Sequence, residues 1–382
     1  MNKKTMIAGL YIHIPFCIKK CDYCDFVSIP VQSCMSDYIQ ALLKEIQLKS
    51  TSCFQVDTIY FGGGTPSILN PEDISCICET IFCHWQIQEK TEITIEVNPG
   101  TLTQGKINTW KTLGINRINL GVQSFHDYHL QQLGRIHNAK EADQAIQWLK
   151  ETGFINIGLD LMYGLPNQTV EEWQKDLSQA ISYDLQHLSC YSLTYEPGTP
   201  LYQRLQNNKI QPLPEKSVRQ MMQILFQTMR EYKYDHYEIS NFATNIDLRS
   251  HHNQKYWQHL PYIGLGAGAH SFFDHKRSWN CSNVAVYIQK ISDQHDPLEN
   301  FENLTIEQQI IEFIFLGLRQ KEGMNILEFD TIFPYCFNNL FYDVLNELEF
   351  AGYLDCSNSF CRLSNSGKFY LDSICQKFIN AI

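Results

Sequence analysis

The run Tyr11-Ile-His-Ile-Pro-Phe-Cys17-Ile-Lys-Lys-Cys21-Asp-Tyr-Cys24-Asp25-Phe26 places three cysteines in CxxxCxxC spacing directly behind an apolar, strand-like stretch, Ala8–Ile14. A structural zinc site is usually closed by four protein ligands, whereas three thiolates leave a metal position open for chemistry. Asp25 and Phe26 follow Cys24, so no neighbouring cysteine completes the set. Cys17, Cys21 and Cys24 are therefore read as metal ligands on a loop that follows a buried strand.

Outward from this loop, apolar runs of strand length recur, each followed by a helix-length amphipathic stretch. Strands are expected at Ala8–Ile14, Val56–Phe61, Glu92–Val97, Arg117–Gln123, Ile155–Met162 and His187–Thr194. Helices are expected near Met35–Lys49, Pro71–Trp85, Thr103–Leu113, Ala139–Thr152, Thr169–Tyr183 and Glu215–Tyr232. Such alternation means parallel βα units, and near-continuous apolar strands mean that both sheet faces are covered. The fold class is α/β: a partial (β/α)6 TIM-type barrel followed by a small C-terminal helical, winged-helix-like domain. The divisions expected are 1–240 for the barrel, 241–295 for a connecting region, and 296–382 for the C-terminal domain.

The composition narrows the function. The chain has 382 residues and a net charge of −11, with 30 Lys+Arg against 41 Asp+Glu. Nucleic-acid binding draws its affinity from clustered cations, so nucleic acid is not an expected partner. There is no apolar run long enough to span a bilayer. The start, Met1-Asn-Lys-Lys-Thr-Met6, is basic without the apolar core of a signal peptide, so the expected location is cytoplasmic. Fourteen cysteines are many for such a chain, but a disulfide framework is not expected in a large protein of this kind. Cys76, Cys78 and Cys83 fall in one amphipathic helix, Cys76 and Cys83 on one face and Cys78 off it. These and the scattered Cys34, Cys53, Cys190, Cys281, Cys336, Cys356, Cys361 and Cys375 are read as buried small apolar residues.

In barrels of this type the C-terminal ends of the strands carry function. Strand two is followed by Gly62-Gly-Gly-Thr65-Pro66, strand three ends at Glu96 and Asn98, and strand four at Gln123 and Ser124. Strand five holds Asp160 before Gly164-Leu-Pro166, and strand six ends near Thr194. Polar and glycine positions thus converge on one rim, over the cysteines.

The cysteine run resembles the cluster motif of radical S-adenosylmethionine (SAM) proteins. On that resemblance SAM would chelate the open iron through its methionine carboxylate and amine. Glycines let the backbone approach the methionine part closely. Glu96 or Asp160 can accept from ribose hydroxyls, and Gln123 can donate and accept. Arg135 can hold a carboxylate in its planar fork, and Tyr23 can cover the adenine face. Together with Glu96-Val-Asn-Pro99, Gly121-Val-Gln-Ser-Phe125, Asp160-Leu-Met-Tyr-Gly-Leu-Pro166 and Tyr237-Glu-Ile-Ser-Asn, the chain closely resembles the group holding oxygen-independent coproporphyrinogen III dehydrogenase and the HemW-type haem chaperones. The resemblance implies a [4Fe-4S] cluster on Cys17, Cys21 and Cys24. It also implies a SAM site lined by Tyr11, Tyr23, Gly63, Gly64, Thr65, Glu96, Gln123, Arg135, Asp160 and Thr194.

Within that group three features favour the chaperone over the decarboxylating enzyme. The dehydrogenase pattern has a further cysteine where this chain has Phe26, and it has a long N-terminal extension where ten residues precede Tyr11 here. Third, His252-Asn253-Gln-Lys-Tyr256-Trp257 matches the HNxxYW motif of the haem-binding members. The resemblance thus implies haem as a third cofactor, with His252, Asn253, Tyr256 and Trp257 as contacts. His252, His251 and His270 stay open as axial ligands, Tyr256 and Trp257 would stack on the porphyrin, and Lys255 would meet a propionate. The implied partner is a haem-accepting protein such as a respiratory haem enzyme, which would bring peripheral membrane contact. Monomer and homodimer both remain open.

Overall fold

A computed structural model describes residues 6–31, 34–51, 53–357 and 359–382. The basic start, residues 1–5, lies outside the described residues.

Six parallel strands form the centre of the sheet: β1 (Met6–Ile14), β2 (Phe54–Gly63), β3 (Gln86–Val97), β4 (Arg117–Gln123), β5 (Asn156–Tyr163) and β6 (His187–Ser192). Their covering helices are α1 (Met35–Leu48), α2 (Pro71–His84), α3 (Gln104–Thr112), α4 (Ala139–Glu151), α5 (Val170–Ser182) and α6 (Glu215–Glu231). These bounds follow the sequence expectation within about two residues, except that β3 begins six residues earlier, at Gln86 rather than Glu92. The helix starts have local causes. Asn70 caps α2 ahead of Pro71, while Asn138 with Glu141 and Thr169 with Glu172 form capping boxes at α4 and α5.

Both faces of the central strands are buried, as in β1, where Leu10, Ile12 and Ile14 are fully covered. Ile12 and Leu10 share one core with Ile46 of α1, Ile77 of α2 and Trp173 of α5.

The chain does not leave this sheet after β6. Asn241–Ala243 and Asp235–Glu238 extend it antiparallel beyond β6. On the opposite side, Tyr262–Leu265 lies parallel against β1, followed outward by His270–Phe273, Lys276–Asn280 and Leu298–Asn303. Among the described residues the sheet therefore has 12 strands and stays open, since its two outermost strands, Asp235–Glu238 and Leu298–Asn303, do not pair. Alternation faded in the sequence here because these strands are short, five of the six no longer than five residues, and polar at the edge.

A second core begins with the helix Ile306–Arg319 and gathers Phe329, Phe333, Phe337, Phe341 and Phe378. Its helices surround a three-stranded sheet of Met324–Asn325, Phe360–Leu363 and Leu354–Cys356. The motif segment Tyr237–Glu238 ties the two cores: Lys321 N–H donates to the Tyr237 carbonyl (3.0 Å) and Arg319 pairs with the buried Glu238 (3.1 Å).

Three cysteine readings need correction. Cys76 and Cys83 do share a face of α2, but that face is the exposed one, and Cys78 is the buried member. The barrel is on the other side of the helix, where Ile74, Ile77, Cys78 and Ile81 pack. Cys53 and Cys336 are also exposed. Cys356 and Cys361 face each other across the C-terminal hairpin and are joined as a disulfide.

Candidate functional site

A cavity of about 350 Å3 opens at the C-terminal rim of the parallel strands. The loop after β1 forms one wall and contributes Cys17, Cys21, Tyr23, Cys24 and Phe26. Short backbone bonds fix this loop: Ile29 N–H to the Pro15 carbonyl (2.8 Å), Val31 N–H to the Cys17 carbonyl (2.9 Å) and Asp22 N–H to the Leu133 carbonyl (2.9 Å). Asp22 also pairs with Arg204 at 2.6 Å, and a Cβ on Gly134 would collide with its carboxylate. Glycine at 134, with φ +71°, lets the segment after β4 close on the loop.

The thiols have defined neighbours. Thr65 Oγ1 donates to Cys17 Sγ at 3.4 Å, and Arg135 Nη1 donates to Cys21 Sγ at 3.4 Å. Burial pushes the Cys17 thiol up and the Cys24 thiol up to about 11. Such thiols stay protonated at neutral pH unless a bound metal withdraws the charge. Among the described residues no three His, Cys, Asp or Glu side chains are gathered closely enough to grip one metal ion. Three thiols spread along one wall instead suit a multi-iron group, in which each iron takes its own thiolate.

The opposite wall is built by strand parity. Residues two apart point to the same side of a strand, so Glu96 of β3, Asn119, Gly121 and Gln123 of β4, and Asp160 of β5 all face inward. Each polar group is held by a neighbour. Tyr60 O–H donates to Glu96 (2.7 Å), Asn119 to Asp160 (2.8 Å), and Tyr191 O–H to Gln123 (2.8 Å). Burial raises the Glu96 carboxyl to about 7 and Asp160 to about 6, and Asp160 raises Glu96 further by like charge. Gln123 holds φ at +73°, a conformation that non-glycine residues rarely adopt outside sites with a special geometric demand.

Nine of the ten residues expected at a SAM site line this cavity: Tyr23, Gly63, Gly64, Thr65, Glu96, Gln123, Arg135, Asp160 and Thr194. Tyr11 does not. Register sets it level with Tyr60 and Thr94, one inward-facing layer below Glu96, where its O–H meets His13 Nδ1 at 3.1 Å. Asn119, Tyr60 and Tyr191 were missed. For Asn119 and Tyr60 the signal was available, since each stands at even spacing from Gln123 or Gly62 inside an apolar strand; Tyr191, three residues before Thr194 on β6, had no such marker.

The HNxxYW segment forms a short helix, His251–Trp257, beneath the opposite end of the barrel. Its first amides point at a buried carboxylate, with the N–H groups of His251 and His252 donating to Glu92 at 3.1 and 3.0 Å. His252 is fully buried, and both ring nitrogens are engaged, by Thr58 Oγ1 (2.8 Å) and Tyr256 O–H (2.9 Å). Its ring stacks on Tyr60 at 5.0 Å, and burial lowers its pKa to about 3. Lys255 is also buried and pairs with Asp57 at 2.8 Å. Asn253 is half-buried near the helix start, its N–H on Ser250 Oγ at 3.4 Å. Trp257 projects the other way, under Arg319 at 4.5 Å and into a second cavity. His270 is exposed and stacks on Trp279 at 5.6 Å.

This geometry, an open parallel half-barrel with a cysteine-walled rim cavity, defines a class that comparison with known proteins confirms: the Radical SAM superfamily profile matches residues 11–180. Over nearly its full length the chain is also similar to named proteins. It is 35% identical to the heme chaperone HemW of Bacillus subtilis, across 97% of this chain and 99% of that one. It is 32% identical to HemW of Escherichia coli, across 97% and 98%. The chain belongs to the HemW heme chaperone family. Among solved structures, coproporphyrinogen III oxidase (HemN) from E. coli, a radical SAM enzyme, superposes with a TM-score of 0.85 over 100% of this chain and 91% of that one at 21% identity, which is a likeness of fold. No helix among the described residues is long and apolar enough to cross a membrane.

Proposed function

We propose that the protein carries haem and hands it to an acceptor protein, with a [4Fe-4S] cluster and SAM at the rim cavity. The observation that supports this reading most strongly is the full-length similarity to heme chaperones, alongside an exposed Phe26 at the cavity lip where a further cysteine marks the dehydrogenase. The assigned ligands are Cys17, Cys21 and Cys24 for the cluster. When bound, cluster and SAM together supply one-electron chemistry at the sulfonium.

The chain's own residues set the stage for that group. Arg135 keeps positive charge beside Cys21 and offsets the thiolates, and its Nη2 is braced on the Gly121 carbonyl at 2.5 Å. Gly63 and Gly64 leave room that a Cβ would fill: at Gly64 it would meet the Phe16 carbonyl. Glu96 and Asp160 are positioned to accept from ribose hydroxyls, Gln123 and Thr194 to bond the ligand's polar edge, and Tyr23 to cover an aromatic face. Tyr11 acts one layer below, as part of the floor. On the haem side, Trp257 is the contact face, while His252, Asn253 and Tyr256 hold its helix in place.

SAM carries a cationic sulfonium, so it favours ionised Glu96 and Asp160. Their carboxyls are neutral below about 7 and about 6, so affinity is expected to rise with pH. Equilibrium dialysis should show SAM binding tighten about tenfold from pH 6 to 8, the factor for one titrating group near 7. Glu96→Gln should flatten that rise, and an unchanged pH profile in the variant would remove Glu96 from the site.

Transfer of haem from the loaded protein to candidate apo-cytochromes tests the function itself. Movement of the Soret band to the acceptor is the expected result. Anaerobic conversion of coproporphyrinogen to protoporphyrinogen, with SAM and a reductant, would instead establish a dehydrogenase.

A further inference from the structure

A second cavity, of about 660 Å3, opens between the edge of the main sheet and the C-terminal domain. Cavities of this size at domain boundaries commonly hold cofactors. One wall is the turn that follows the motif helix, Trp257 to Pro261, together with Phe272. The other is aromatic too: Phe313 and Phe333, in edge contact at 5.7 Å, and Phe360. Two separately packed cores thus present rings to each other across a gap, a shape suited to a flat apolar ligand.

His259 stands in this cleft, edge-on to Phe272 at 5.5 Å. Its Nε2 is buried and has no hydrogen-bond partner among the described residues. An unsatisfied buried nitrogen is destabilising, and a ligand to that nitrogen would recover the loss. The residue is also held at φ +52°, an uncommon backbone state outside glycine. Burial keeps its pKa below the usual imidazole value, against the raising influence of the neighbouring Glu312 carboxylate and backbone. His252 has no such nitrogen, since both of its own are engaged.

We propose that the haem macrocycle lies in this cleft, against Trp257 and the Phe313–Phe333 wall, with His259 Nε2 as its axial iron ligand; this rests on the haem-carrier reading above. The bond formed is a dative nitrogen–iron bond, with no change in oxidation state. Asp274, His275 and Glu328, all exposed, line the lip of the cleft, which is open to water there. An acyl chain in the same cleft would leave the imidazole unused.

Haem titration followed by the Soret band provides the test, run on the full chain. His259→Ala should weaken binding at least about tenfold, a loss of about 1.4 kcal/mol. It should also lose the histidine-ligand signature in the resonance Raman spectrum, and added imidazole should restore it. Ile332→Trp, at an exposed position on the lip, should block entry and weaken binding without touching the imidazole. Unchanged circular dichroism and cluster content in both variants exclude unfolding as the cause. If wild type takes up haem and both variants match it in affinity and spectrum, the cleft is not the site, while the haem-carrier reading stands. If wild type takes up no haem, that reading falls and this inference falls with it.

Discussion

Replacing Cys17, Cys21 and Cys24 together by alanine is expected to leave the reconstituted protein without bound iron or sulfide and without absorbance near ~400 nm, because thiolates are the anchors of such clusters. The loss should be nearly complete rather than graded. Thr65 and Arg135 are hydrogen-bond donors to the sulfurs and not iron ligands, and no other cysteine lines the cavity to substitute for them. The fold should survive. Cys21 and Cys24 are half-exposed, and backbone bonds to Leu133, Pro15 and Cys17 hold the loop without help from the thiols. Iron and sulfide assays on the triple variant, with circular dichroism as the control, decide it. An iron content equal to wild type would remove the cluster from this loop.

Glu45→Ala is expected to destabilise the barrel by about 3–5 kcal/mol, the range for removing one partner of a buried charge network. Glu45 is fully buried on α1, and its carboxylate accepts from Gly266 N–H (2.7 Å), Asn280 Nδ2 (2.7 Å) and Tyr287 O–H (2.6 Å), with Lys49 at 2.8 Å. Alanine would strand three buried donors at once, each orphan costing about 1–3 kcal/mol before relaxation, while Lys49 keeps its bond to Asn280 Oδ1 (3.0 Å). Urea unfolding monitored by barrel tryptophans measures the effect. A loss under about 1 kcal/mol would mean that water enters and takes the carboxylate's place. Function should suffer as well. The Gly266 segment packs on His13, and His13 Nε2 bonds the Val27 carbonyl (2.8 Å) at the end of the cysteine loop.

Glu45 also marks where reading the sequence stops. In the sequence it is an ordinary acidic position in the amphipathic stretch Met35–Lys49, and apart from Lys49 its partners lie more than two hundred residues away. Nor does the Gly-rich run 264–268 declare its role. It proves to be backbone that passes close to β1 and the cysteine loop: Gly266 sits at φ +103°, and a Cβ on Gly268 would crowd Val27. His252 misled in a similar way. A histidine in a ligand-type motif reads as available, but its neighbours Thr58 and Tyr256, brought in from a strand and the next helical turn, occupy both nitrogens.

What the sequence determined by itself was local and periodic. Alternating apolar strands and amphipathic helices specify six βα units, because burial on both faces of a strand and one face of a helix leaves a direct imprint on residue order. Strand ends then follow by counting, and with them the rim positions Glu96, Gln123, Asp160 and the CxxxCxxC loop. Tertiary structure alone decided what lies between elements distant in the chain: the seventh parallel strand beside β1, the sealing of His252 beneath the barrel, and the aromatic cleft at Trp257 and His259. These rest on pairwise contacts between separate elements, from Trp257 with Gln320 to Gly9 with Tyr262, which leave no period in the sequence.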